Sequence, residues 1–192
     1  MGAFVLGYHG CDQDFGEALL AGERSLRVSK NAHDWLGHGI YFWENNPKRA
    51  LEWARFMSKH PSFKGRVKKP FAIGAIIDLG NCLDLTESES LGIVQASYQE
   101  LAILHEILDI PLPENKSSHQ SDSDLVQRFL DCAVLNNVHA LREEEEKLEP
   151  FSTVRAPFTE GGALYPGAKI QAKTHIQICV RNSKQIRGVF RL

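Results

Sequence analysis

Short apolar runs that read as β-strands cluster at the two ends of the chain, and this placement limits the folds open to it more than any other feature. FVLGYH and IYFW stand near the start, FAIGAIIDLG follows, and THIQICVR and QIRGVFR come at the end. Strand-sized lengths of alternating or continuous apolar residues, with turn residues between them, are the pattern of a sheet. The middle differs: residues 87–108 and 122–147 read as helices, split by the breaker-rich IPLPENKSSHQSDSD. Strands at both ends with helices between them predict an α+β fold. Its core is expected to be a mostly antiparallel sheet with flanking helices, interrupted by a helical insertion over about residues 86–147. A chain of 192 residues fits one such domain and can bury a real core.

Two further helices are legible near the start. DFGEALLAG carries Asp14 at its N-cap, Glu17 three residues on as a capping box, and Gly22 as its stop. In ENNPKRALEWARFMSKH, Asn45 or Asn46 can cap, Pro47 fits the first turn, and Ala50, Leu51, Ala54 and Met57 form an apolar stripe at helical spacing.

Composition excludes several classes. The longest apolar runs fall far short of a membrane span, and the first residues lack the basic region of a signal peptide, so a cytoplasmic protein without a membrane partner is expected. Cys11, Cys82, Cys132 and Cys179 lie far apart, which signals neither a metal site nor a disulfide framework; buried, reduced thiols are expected. The net charge of −2 hides an asymmetry. Residues 84–149 hold fifteen acidic and four basic residues, whereas 152–192 hold one acidic and seven basic. The acidic block reads as solvated helix, and the basic end is the better place to meet an anion. FKGRVKKPF sets Lys64, Arg66, Lys68 and Lys69 between two phenylalanines, as a solvated loop or a phosphate-contacting patch.

The chemistry-bearing residues occur in short motifs. A first strand ends in Tyr8-His9-Gly10; about thirty residues later GHGIYFWENNPKRALEWA runs from a short strand into a helix; and a glutamate-bearing loop, VRAPFTEGGALYPG, leads into the last strands. In this order the motifs resemble the ADP-ribosyltransferase superfamily, in its H-Y-E branch of diphtheria toxin and the poly(ADP-ribose) polymerases, and specifically its small bacterial toxin-type members. The resemblance covers both ends of the chain and leaves the insertion outside it. It implies an ADP-ribosyltransferase-like split of the mostly antiparallel sheet, that His9 and Gly10 begin an NAD site, and that Gly39, Tyr41 and Phe42 belong to the segment supplying its tyrosine.

The residue types suit that ligand. NAD presents a cationic ring, ribose hydroxyls, an amide and a pyrophosphate, so its site needs an aromatic face, polar partners and close backbone approach. Tyr41 offers the face, His9 a donor to a ribose hydroxyl, and Gly10 free backbone groups for the carboxamide. Trp53 is either a second wall of the nicotinamide pocket or a core tryptophan. Arg155 is either a bidentate partner of the pyrophosphate or a surface residue. In polymerase-like members a catalytic glutamate stands at the start of a late strand, but here that strand offers His175 and Gln177. Glu160, the one acidic residue after Glu149, is therefore assigned the carboxylate that stabilises an oxocarbenium-like state, with Gln177 as the fallback.

The resemblance implies an NAD-dependent mono-ADP-ribosyltransferase acting on a macromolecular acceptor, protein or nucleic acid. By fold-level analogy it would be an intracellular toxin or effector of a toxin–antitoxin or phage-defence system, with an antitoxin or immunity protein as partner. NAD glycohydrolase activity and a catalytically silent NAD- or ADP-ribose-binding module are the alternatives.

Overall fold

A computed structural model describes residues 3–117, 124–145 and 148–192. The chain builds a seven-stranded sheet from β1 (Phe4–Asp12), β2 (Ile40–Glu44), β3 (Pro70–Asp78), β4 (Cys82–Asp84), β5 (Thr153–Phe158), β6 (His175–Val180) and β7 (Ile186–Arg191). The strand order is β4-β5-β6-β2-β1-β3-β7, and every pairing is antiparallel except that of β4 with β5. Four α-helices accompany it: α1 (Gln13–Leu20), α2 (Pro47–Lys59), α3 (Ser88–Ile107) and α4 (Phe129–Ala140). The mixed architecture and the mostly antiparallel sheet match the sequence expectation.

Strand alternation sorts the core into two faces. On one face Trp43 and Ala72 meet Ala50 and Leu51 of α2, while Val154, Ala156, Phe158 and Cys179 meet Leu135 and Val138 of α4. The other face carries Ile40, Phe42, Ala75, Ile77, Ile178 and Val180, with Leu26 from the segment after α1 packed against them. Helices α3 and α4 pack on each other, the Ser97 hydroxyl donating to Val134 C=O and the Asn137 amide to Ser97. The insertion therefore shares the core of the sheet rather than decorating it.

Three local readings are corrected. Helix α1 is capped by Asp12, not Asp14: the Asp12 carboxylate accepts the Asp14 N–H at 3.1 Å and the N–H groups of Lys68 and Lys69 at 2.6 and 3.0 Å. Glu17 pairs with Arg191 in place of a capping box. Helix α4 begins at Phe129 and ends in a π-helical turn, Leu141–Glu145. Residues 122, 123, 146 and 147 of the expected helix lie outside the described residues, and 124–128 run as non-helical chain. For α2 the choice falls on Asn46, whose side chain accepts the Arg49 N–H ahead of Pro47. All four cysteines are free thiols, Cys82 half-buried and the others buried. No helix among the described residues is long and apolar enough to cross a membrane.

Candidate functional site

Strands β1 and β2 pair over only two positions, Gly7 with Glu44 and Tyr8 with Trp43, and then part. Beyond that point β1 stays on β3 as far as Asp12, and β2 stays on β6 as far as Ile40. The sheet is therefore split from His9 onward. The His9 imidazole spans the opening, its Nδ1–H donating to Tyr41 C=O at 2.8 Å. A carbonyl can only accept, so Nδ1 carries the hydrogen, and in the neutral ring Nε2 keeps a lone pair. Burial holds the His9 pKa below its ordinary value, against the opposing pull of the Tyr41 hydrogen bond. The ring lies 5.7 Å from that of Phe42. His9 thus presents Nε2 as an acceptor, not the donor the sequence reading expects.

Gly10 has two jobs at the split. The Asn45 N–H donates to Leu6 C=O and the Gln13 N–H to Lys69 C=O, so even-numbered residues of β1 turn their backbone groups toward β2 and odd-numbered ones toward β3. The N–H and C=O of Gly10 consequently face β2 where β2 has moved away. Its missing side chain also admits α2, because a Cβ there would stand 2.1 Å from Ala50 C=O.

Tyr41 is linked to His9 through its backbone, not its ring. Its hydroxyl accepts the Leu36 N–H at 2.8 Å and donates to Gly37 C=O at 2.6 Å, which fixes the turn before β2. Burial raises the phenol's pKa, so it remains a donor at all ordinary pH. Register places Tyr41 opposite Cys179 and Trp43 opposite Gln177, so all four share the face that α2 and α4 cover.

That face also receives Glu160, carried on the loop after β5. Its carboxylate Oε1 pairs with Arg49 Nη2 of α2, and the side chain is 15% exposed. Among the described residues Oε2 has no hydrogen-bond partner. Burial lowers the His175 pKa, and the nearby Glu160 charge is among the influences raising it. The loop carboxylate thus comes to the start of β6, the position left without an acid in the strand itself. Gln177 spends its side-chain amide on His175 Nε2 at 3.0 Å.

A groove of about 440 Å³ opens at the end of β1, lined in part by His9, Gly10, Arg24, Arg27, Arg66 and Lys68. Asp12 and Asp14 line it too, but Asp12 is occupied by backbone N–H groups, chiefly that of Lys69, which hold its pKa down. Among the described residues none of the four cations pairs with a carboxylate. Cys11 also lines the groove, and burial pushes its thiol up to about 11, too high for a nucleophile at neutral pH. The basic run around Arg66 was visible in the sequence; Arg24 and Arg27 were not singled out, and no local pattern marks them.

Arg155 lies elsewhere. Register with Ile178 puts it on the opposite face from Gln177, with β6 and β2 between its strand and β1, and its Nε, Nη1 and Nη2 bond to Glu44 and Asp84. Trp53 is 37% exposed, which removes the core reading, and it stacks on Phe56 outside the groove lining.

Compared with protein-family models, curated proteins and solved structures, the chain matches none of them.

Proposed function

We propose that the chain is an NAD-dependent mono-ADP-ribosyltransferase. The observation that carries this reading is the split at His9-Gly10, which combines a lone pair on His9 Nε2, free backbone groups on Gly10 and an adjoining groove with four unpaired cations. A ribose hydroxyl, a carboxamide and a pyrophosphate are the matching ligand groups. In this proposal Arg24, Arg27, Arg66 and Lys68 take the pyrophosphate, and Arg155 instead braces β5 against β2 and β4.

Glu160 is the proposed electrostatic partner of the reacting ribose. Arg49 orients its carboxylate, and Oε2, without a partner among the described residues, is left to a ribose hydroxyl. In the reaction the bond from ribose C1′ to the nicotinamide nitrogen breaks, its electron pair leaving with nicotinamide. An acceptor oxygen or nitrogen bonds to C1′ and releases its proton to water. A carboxylate facing developing positive charge stabilises the transition state more than the ground state. A toxin or effector role in the cytoplasm, held in check by an antitoxin or immunity protein, accompanies this reading as fold-level analogy.

The Arg49–Glu160 pair also favours a second reading, a module that binds NAD or ADP-ribose without turnover, because a paired carboxylate offers less to a cation. Incubation with NAD labelled on its adenine separates the possibilities. Nicotinamide release with label attached to a macromolecule is expected; release with all label free indicates a glycohydrolase. Binding without release means a silent module, and no binding at all refutes the NAD site.

A further inference from the structure

Outside the groove, α2 and the short 3-10 turn Pro61–Phe63 carry a cluster of aromatic rings that the core does not absorb. Trp53 and Phe56 stack at 5.3 Å with their planes 22° apart, Phe63 meets both edge-on, and His60 lies 4.8 Å from Phe56. Trp53 is 37% and Phe56 45% exposed. The surrounding charge is one-sided: residues 47–69 contain eight lysines and arginines against the single acid Glu52, which pairs with Arg49. Lys59, Lys64 and Arg66 are exposed, and the Arg66 guanidinium sits 5.5 Å over Phe63. Met57 of α2 and residues 65–68 also line the groove, so the patch and the groove are continuous.

We propose that this aromatic and cationic patch docks single-stranded nucleic acid, and that this strand is the acceptor of the ADP-ribose. Unpaired bases stack on exposed rings while lysines and arginines track the phosphates, and only a polyanion with planar groups uses both features. No leucine, isoleucine or valine occurs between 53 and 66, so the apolar groups this patch exposes are mainly planar rings, the surface on which bases stack. The transfer rests on the ADP-ribosyltransferase reading. C1′ gains a bond to a base nitrogen or a sugar hydroxyl oxygen of the strand as nicotinamide leaves, and the displaced proton passes to water.

The test measures fluorescence anisotropy of labelled single-stranded DNA and RNA oligonucleotides of mixed sequence, alongside nicotinamide release without oligonucleotide. Phe56→Ala is expected to weaken binding about tenfold, as the loss of one stacked base does, with Phe56→Tyr restoring it. Lys64→Ala is expected to reduce the slope of log affinity against log salt by about one. Both variants should release nicotinamide as the parent does, and duplexes should bind more weakly than single strands. Binding indifferent to Phe56→Ala, equal binding of duplex, or label transferred to added protein while oligonucleotide stays unlabelled would overturn the proposal. If the parent binds oligonucleotide through Phe56 yet releases no nicotinamide, the docking surface stands and the transferase reading falls.

Discussion

Glu160 holds a carboxylate whose two oxygens have different surroundings, one on Arg49 and one without a partner. Glu160→Gln removes the charge and keeps the shape. NAD affinity should stay within a few-fold, while single-turnover nicotinamide release should fall by about 10²–10³, the scale of losing one preorganised electrostatic contact. Calorimetric binding beside rapid-quench turnover checks the separation. Gln177→Ala is the control and should be mild, since its amide is spent on His175; the reverse result would move the catalytic role onto β6. At this scale His9, Gly10 and Tyr41 were legible because each lies in a short motif beside a strand end. Arg24 and Arg27 were not, because their meeting with Arg66 and Lys68 is made by the return of β3 alongside β1. The α1 cap shows the same limit. The local signal, Glu17 three residues on, points to Asp14, whereas two of the N–H groups that hold Asp12 come from Lys68 and Lys69, more than fifty residues away.

Helix α2 sits on β1 at a distance that only a glycine permits. With an added Cβ 2.1 Å from a backbone oxygen of α2, Gly10→Ala forces the helix off the strand and should cost about 1–3 kcal/mol in denaturant unfolding, the scale of an overpacked core. Gly188→Ala on β7 is the matched control: a Cβ there meets nothing within 4 Å, so its stability should be unchanged or slightly higher. The elements that sequence reading found are those with a clear period: β1, β2, β3, β6, β7, α1, α2 and α3. It missed β5, where Arg155 and Pro157 interrupt TVRAPF, and β4, which is three residues long. Both depend on neighbours. The antiparallel partner β6 supplies the pairing that makes β5 a strand, and Arg155, tied to Glu44 and Asp84, contributes a half-buried ionic tether that no periodicity records. The start of α4 was placed too early because acidic and polar residues from 122 onward are compatible with helix, whereas Lys116 and Gln127 bridge in extended conformation instead.

Over the whole molecule, stability should depend on keeping buried histidines neutral. His139 is buried with neither ring nitrogen bonded, and its pKa is pushed down to about 3, first by burial and then by Arg181 and Arg142; His9 shifts in the same direction. A histidine depressed in the folded state contributes fully above its unfolded value near 6.5 and progressively less as pH falls toward the folded value. At pH 5 the His139 share of the loss is about 2 kcal/mol. His139→Leu should therefore flatten the thermal-stability profile between pH 7 and 5 and should not lower stability at pH 7, where it replaces an unsatisfied ring. An unchanged profile would show that His139 is not buried in the neutral state. The insertion is equally global. Leu135 and Val138 enter the core, and Asn136 accepts the His38 N–H beside the turn that Tyr41 fixes. Joining residue 86 to 148 should yield a chain without cooperative unfolding by circular dichroism, not a trimmed domain. The strand order has a consequence for synthesis. β6 lies between β2 and β5 although it is the sixth strand to be made, so a ribosome-bound chain that has exposed β1, β2 and the insertion still lacks the strand that joins β2 to β5. His9 and Glu160 are both made before that strand, so the side chains exist before the sheet that positions them is continuous. On the proposed transferase reading, a nascent chain that still lacks β6 should therefore release no nicotinamide from NAD.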